Sequence, residues 1–257
     1  MKYYGFKSIA KFPRSNLKNL GFAANGMAQV IQSLFANGEQ GFAFDFNDLS
    51  TMYQDSAGTI PVTGVGQPVG KVLDKSGRGN HATQSTSAKR PILQQNATTG
   101  AYYLSFDGVD DLLSTASFPA MGLGTTLFAG TECNKAGTTV IAGRSASGYF
   151  YQTNAVVGVQ NSTSVTVAVS GKTVATAIYS DNGNDVTIRA NKLTNTQPNT
   201  ARGFNNTIAL TIGSLNTTGT LFYQGNIYSV IGINRVATAT EITDTENAIA
   251  KNVGVTL

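Results

Sequence analysis

At 257 residues, with 41% apolar and 12% charged side chains and 28 glycines, the chain is long enough for one full core and presents a neutral polar surface instead of a highly charged one. Its single cysteine, Cys133, excludes an intrachain disulfide framework and a zinc centre built on paired cysteines. The formal net charge of +4 is local: Lys2, Lys7, Lys11, Arg14 and Lys18 fall in the first twenty residues with no acid among them, which leaves the remainder at −1.

Such a cationic arm attracts nucleic acid, an anionic membrane or an acidic protein surface, or is simply solvated. Tyr3, Tyr4, Phe6, Phe12 and Leu17 interleave the charges and add apolar anchoring, so the arm is read as an attachment segment. No apolar run approaches the roughly 18 residues that span a bilayer. The opening MKYYGFKSIAKFPRS lacks the apolar stretch of a secretory signal, and export by that route is not expected.

From Asn25 to Asn37, apolar residues at Met27, Val30, Ile31, Leu34 and Phe35 have helical spacing, with Gly38 just past the end. The buried face of that helix docks either a neighbouring subunit or the chain's own sheet. Phe42, Phe44 and Phe46 then alternate, the period of a half-buried first strand. Asn47 to Gly70 reads as a long surface loop; its Gly64, Gly66 and Gly70 do not make a dinucleotide fingerprint, because the third glycine is displaced and no helix pattern follows.

Val72 to Gln84, VLDKSGRGNHATQ, is a strand that breaks into a Gly-rich turn and restarts as a Thr-bearing strand. Gly77 and Gly79 tolerate positive φ, while Asp74, Ser76 and Asn80 bond turn amides. The only histidine, His81, leaves this turn, either bonded to backbone or acting as a metal ligand or general base. From Pro91 short strands alternate with turns, the all-β signature. They are expected at 102–106, 125–129, 138–142, 148–152, 164–169, 173–179, 186–190, 208–212 and 226–233. Ser170-Gly171 and Asn182-Gly183 read as hairpin turns within one meander. Residues 227–233, apolar on both parities, read as a central strand buried on both faces. Thr238 with Glu241 forms a capping box before a final helix whose Ile242, Ile249 and Val253 share a face.

The Asp74 to His81 turn, D-x-S-G-x-G-N-H, and YYLSFDGVDDLL from Tyr102 to Leu113 resemble the opening of a LamG-like, concanavalin A-like jelly-roll domain. Leu221 to Glu246 resembles that family's closing strand, N-R link and short helix. Leu34 to Gln84 is similar to a stretch that recurs in bacteriophage virion proteins carrying such a domain. The resemblance implies an all-β, two-sheet antiparallel jelly-roll sandwich over residues 41–257, preceded by the arm and amphipathic helix of residues 1–40. It implies a virion structural module on tail or capsid, made in the host cytoplasm, with other virion proteins and further copies of itself as partners. A receptor-binding adhesin for host-surface carbohydrate is the alternative.

Sugar-cleaving relatives of the fold carry E-x-D-x-E or E-x-D-x-x-E on one strand. Here Glu241, Asp244 and Glu246 lie on a helix with different spacing, and no catalytic residue and no enzymatic activity are expected. No organic cofactor is expected. Asp74, Asp107, Asp110 and Asp111 are candidate oxygen ligands for calcium, or turn formers. Tyr149, Tyr151, Tyr223 and Tyr228 are the candidate stacking platforms for a sugar, since tryptophan is absent, or they fill the core rim.

Overall fold

The structure is a computed structural model that describes residues 26–144, 148–160, 164–198 and 207–257. The chain begins with helix α1 (Met27–Leu34), then strands β1 (Gly41–Asp45), β2 (Met52–Tyr53), β3 (Lys71–Val72), β4 (Ala82–Thr83) and β5 (Ile92–Gln95). Next come β6 (Tyr102–Asp107), β7 (Leu113–Ser117), β8 (Thr126–Cys133), β9 (Thr139–Gly143), β10 (Tyr149–Gln152) and β11 (Val156–Gln160). The remainder is β12 (Ser164–Ala168), β13 (Lys172–Tyr179), β14 (Asp185–Ala190), β15 (Leu193–Pro198), β16 (Ala209–Ile212), β17 (Gln224–Ile233) and helix α2 (Ala239–Val253).

Among the described residues these strands make two antiparallel sheets, an all-β sandwich as the sequence implies. The first has eight strands in the order β15-β14-β13-β8-β17-β6-β5, with β1 paired to the far half of β17; the second has nine, β12-β11-β10-β9-β16-β7-β4-β3-β2. Between them lies the main core, to which β1 gives Phe42 and Phe44, β6 gives Leu104 and Phe106, and the facing sheet gives Leu113, Ile141, Phe150, Val157 and Ile212. In β12 Val165 and Val167 point into this core, and Val169 just past the strand packs against it.

The eight-stranded sheet has a second core on its outer side. Val30, Ile31 and Leu34 of α1 and Ile249 and Val253 of α2 pack there against Ala43, Phe128, Val174, Ile231 and Ile233. This layer is why β1 is buried on both faces where alternation predicts one: Ala43 lies under helix while its phenylalanine neighbours face the sandwich. It also places α1 on its own sheet. The central position of β17 is as expected, with β8 on one side and β6 and β1 on the other.

Two local readings change. Asn182-Gly183 does turn between β13 and β14, but β12 and β13 do not pair; Ser170-Gly171 carries the chain from the nine-stranded sheet to the eight-stranded one. The segment 47–70 is a loop that still buries Met52, Val62 and Val69, and it adds β2 to a sheet edge.

The Asp74 corner joins the two sheets. Asp74, 8% exposed, accepts from the Ala43 amide (2.8 Å) and the Ser76 amide (2.9 Å) on Oδ1, and from the Ser76 hydroxyl (2.6 Å) and the Asn80 amide (3.0 Å) on Oδ2. Asn80 Nδ2 donates to the Gly41 carbonyl at 2.7 Å, so the turn between β3 and β4 holds β1 of the opposite sheet. Gly77 and Gly79 take φ of 80° and 75°, as such a turn requires. His81 Nδ1 accepts from the Asp74 amide at 3.0 Å, which makes it a corner histidine bonded to backbone.

Candidate functional site

The two outer faces differ. Helices cover the eight-stranded sheet, whereas no described helix packs on the nine-stranded one. On that open face the side chains alternate outward from β10, so Tyr149 and Tyr151 point away from the core that holds Phe150. Their rings meet edge to face at 5.9 Å, and Tyr151, only 6% exposed, shares a hydrogen bond of 2.5 Å with Ser164 Oγ. Val140, Val156 and Leu215 complete this small apolar patch, from which Tyr149 remains half-exposed. Burial and the neighbouring Tyr151 raise the Tyr149 phenol above its ordinary range.

The turn after β16 lies across this face. Gly143 allows it, since a Cβ there would stand 2.4 Å from the Leu215 carbonyl oxygen. The turn is braced from within: Leu215 N donates to Thr220 O at 2.9 Å, Ser214 Oγ to Asn216 O at 2.9 Å, and Thr218 Oγ1 to Asn216 Oδ1 at 2.8 Å.

Beyond it, over β4 and β7, runs a groove of about 570 Å³. Thr217, Thr218 and Gly219 form one wall, Thr83 and Ser114 lie along the strands, and Gln84, Ser85, Thr86 and Lys89 form the other wall. That second wall is also fixed. Gln84 Nε2 donates to Leu112 O at 3.1 Å and its Oε1 accepts from the Thr86 amide at 3.0 Å, while Arg90 holds the carbonyls of Gln84 and Ser85 at 3.0 and 2.9 Å. A larger cleft of about 680 Å³ lies between α1 and the Asp74 corner.

Burial corrects three of the four expected tyrosine platforms: Tyr151, 6% exposed on the outer face, and two that lie in the interior. Tyr223 is 0% exposed and donates to Gln152 Oε1 at 3.0 Å; Tyr228 is 1% exposed and accepts from Asn96 Nδ2 at 3.0 Å. Both fall on β17 or just before it, the strand buried on both sides, so neither ring meets solvent.

The expected calcium set is also divided. Asp107, Asp110 and Asp111 offer carboxylate oxygens within 4.8 Å of one another, while Asp74 is committed to its corner and does not join them. Asp107 shapes the turn, accepting from the amides of Val109 (2.8 Å) and Asp110 (3.3 Å), and Asp111 Oδ2 accepts from the Asp107 amide at 3.0 Å. Burial, with Asp107 and Asp110 adding repulsion, pushes the Asp111 carboxyl up to about 6.

Glu241 and Glu246 serve in ion pairs. Glu241 pairs with Arg235 at 2.7 Å and closes the capping box at Thr238, and Glu246 holds Arg189 at 2.7 Å while accepting from Thr176 at 2.8 Å. The five arm cations Lys2, Lys7, Lys11, Arg14 and Lys18 lie outside the described residues. Thr86, Lys89, Ser114, Thr217 and Thr218 were not singled out by the sequence. They share no motif, and only the register of β4 with β7 and the turn after β16 bring them together.

No protein-family model matches the chain, and no curated protein matches it. Solved structures do. An arabinofuranosidase complexed with arabinofuranosyl-alpha-1,2-xylobiose superposes with a TM-score of 0.60 at 12% identity, over 89% of this chain and 65% of that one. An α-L-arabinofuranosidase soaked with a cyclic sulfate inhibitor gives 0.61, with the same identity and coverage. Trypanosoma rangeli sialidase in complex with sialic acid gives 0.50 at 11% identity, over 84% of this chain and 33% of that one. The class so defined is a β-sandwich that forms part of each of these proteins, and at such identities the likeness is one of fold. The chain spans about two thirds of the length of the arabinofuranosidase chains. These structures overturn the expectation that the chain is not an enzyme: that expectation rested on the place of three carboxylates on α2, and the same sandwich occurs in proteins named for cleaving sugars.

Proposed function

We propose that the protein recognises carbohydrate on the open face of its nine-stranded sheet. One observation carries the reading: of the two outer faces, one is sealed by helices and the other presents a braced, hydroxyl-lined groove with a half-exposed tyrosine further along the same sheet. Sugars are bound by fixed hydrogen-bonding groups beside an aromatic or apolar surface, and walls held by their own internal hydrogen bonds need no reordering when a ligand arrives. The fold shared with proteins named as arabinofuranosidases and a sialidase supports carbohydrate as the ligand class.

The setting belongs to the same proposal. The resemblance of Leu34 to Gln84 to phage virion proteins, together with the cationic arm, supports display of this face on a particle, where it would meet host-surface glycan. The test is a glycan array followed by calorimetry on the best binder. Ser114→Phe, which fills the groove from an outward position on β7, is expected to abolish binding with the melting temperature unchanged. Binding that survives it would place recognition elsewhere.

A further inference from the structure

The groove has a charge character that its hydroxyls alone do not explain. Among the described residues Lys89 lines it, no carboxylate does, and Lys89 forms no ion pair. The contrast with its neighbour Arg90 is direct, since Arg90 spends its guanidinium on the carbonyls of Gln84 and Ser85. The hydroxyls of Thr86 and Thr217, on opposite walls, make no hydrogen bond within the described residues. A cation flanked by unengaged donors, in a concave site without acidic groups, is complementary to an anion that also carries hydroxyls.

Building on the carbohydrate reading, we infer that the ligand is an acidic sugar, whose carboxylate or sulfate is held by Lys89 while its ring hydroxyls meet Thr86, Thr217 and Thr218. A neutral sugar would leave the ammonium unmatched. An ammonium accepts either anion as a point charge, without the planar fork that favours one geometry, so carboxylate and sulfate share this chemistry.

The test uses the full chain against two matched series: lactose, sialyllactose and sulfated lactose, and trigalacturonate with its methyl ester. In low salt the acidic members are expected to bind at least tenfold more tightly than their neutral counterparts, and the ratio is expected to shrink as salt is raised. Lys89→Gln is expected to bring the ratio close to one with no change in melting temperature, whereas Thr217→Val weakens acidic and neutral members alike. Whichever of sialyllactose and sulfated lactose binds more tightly identifies the anion. Equal binding of neutral and acidic members, or a preference that persists in Lys89→Gln, would overturn the inference and leave the carbohydrate reading in place. Failure of every member to bind the unaltered protein would overturn both.

Discussion

The outer faces of the two sheets show what burial does to charge. On the helix-covered side Arg189 meets Glu246, Arg235 meets Glu39 and Glu241, and at the adjoining corner Lys75 meets Asp45 and Asp48. There Glu241 lifts the Arg235 guanidinium above its ordinary range, and in turn Arg235 holds the Glu241 carboxyl below its own. On the open side, among the described residues, Lys89 forms no ion pair and the hydroxyls of Thr86 and Thr217 make no hydrogen bond. A charge that must leave water is matched within the fold, whereas one that stays at the surface is available to a ligand. The closed side should therefore respond to substitution in stability, and the open side in binding.

The largest effect is expected at the corner that ties the sheets together. Asp74→Ala removes four acceptor contacts, three of them from amides of β1 and the turn, and leaves buried donors unmatched. A loss of about 3 kcal/mol is expected in urea unfolding. An unchanged midpoint would mean that water replaces the carboxylate, and that the corner belongs with the open side.

Arg189→Met comes next. It leaves the Glu246 carboxylate, 7% exposed, with Thr176 as its remaining partner, and should cost about 2 kcal/mol. Arg189 is itself 29% exposed, so solvent screens part of the pair and the loss should fall short of that for a fully buried one.

Asp111 offers a test with a pH signature. Its carboxyl titrates at about 6 in the fold against an ordinary 3.8, so the native state binds the proton more tightly than the unfolded chain. The resulting stabilisation is complete below pH 3.8 and is lost as pH rises through 6. Asp111→Asn keeps an acceptor for the Asp107 amide without the charge. It should be more stable than the parent by about 1 to 2 kcal/mol at pH 8 and no more stable at pH 3.5. Equal melting curves at both values would show that the carboxylate is hydrated. Should added calcium raise the melting temperature of the parent alone, the Asp107, Asp110 and Asp111 cluster would be a cation site.

Much of the closed side was legible in the sequence, because its signals are local. The alternating phenylalanines of β1, the 3.6-residue spacing of α1, the Thr238 to Glu241 capping box and the Asp74 turn each lie within a short stretch whose chemistry names its own partners. The open side was not. Tyr149 and Tyr223 are alike as letters, and only the strand order, with β10 carrying an outward face and Tyr223 leading into the doubly buried β17, separates a surface ring from a core one. Nor does any stretch hold the groove: Thr83, Ser114 and Thr217 are brought together by the β4 to β7 pairing and by a turn that Gly143 admits. Edge strand β15, with LTNTQP and little apolar pattern, passed unnoticed for the related reason that an exposed strand has no burial period to read.

The smallest stability effect is expected where the binding effect should be clearest. Thr217→Val keeps the β-branched shape of the side chain and removes a hydroxyl that bonds nothing within the described residues, so the melting temperature should move by less than the equivalent of about 0.5 kcal/mol. If that hydroxyl meets a sugar, its loss removes a hydrogen bond made only in the complex and should weaken binding several-fold. Asn216→Ala separates contact from positioning in the same turn. Its side chain accepts from Thr218, which it orients, so it should weaken binding without itself lining the groove. A Thr217→Val protein that loses stability but binds normally would reverse the assignment: the turn would be part of the closed architecture, and the contrast between the two faces would rest on Lys89 alone.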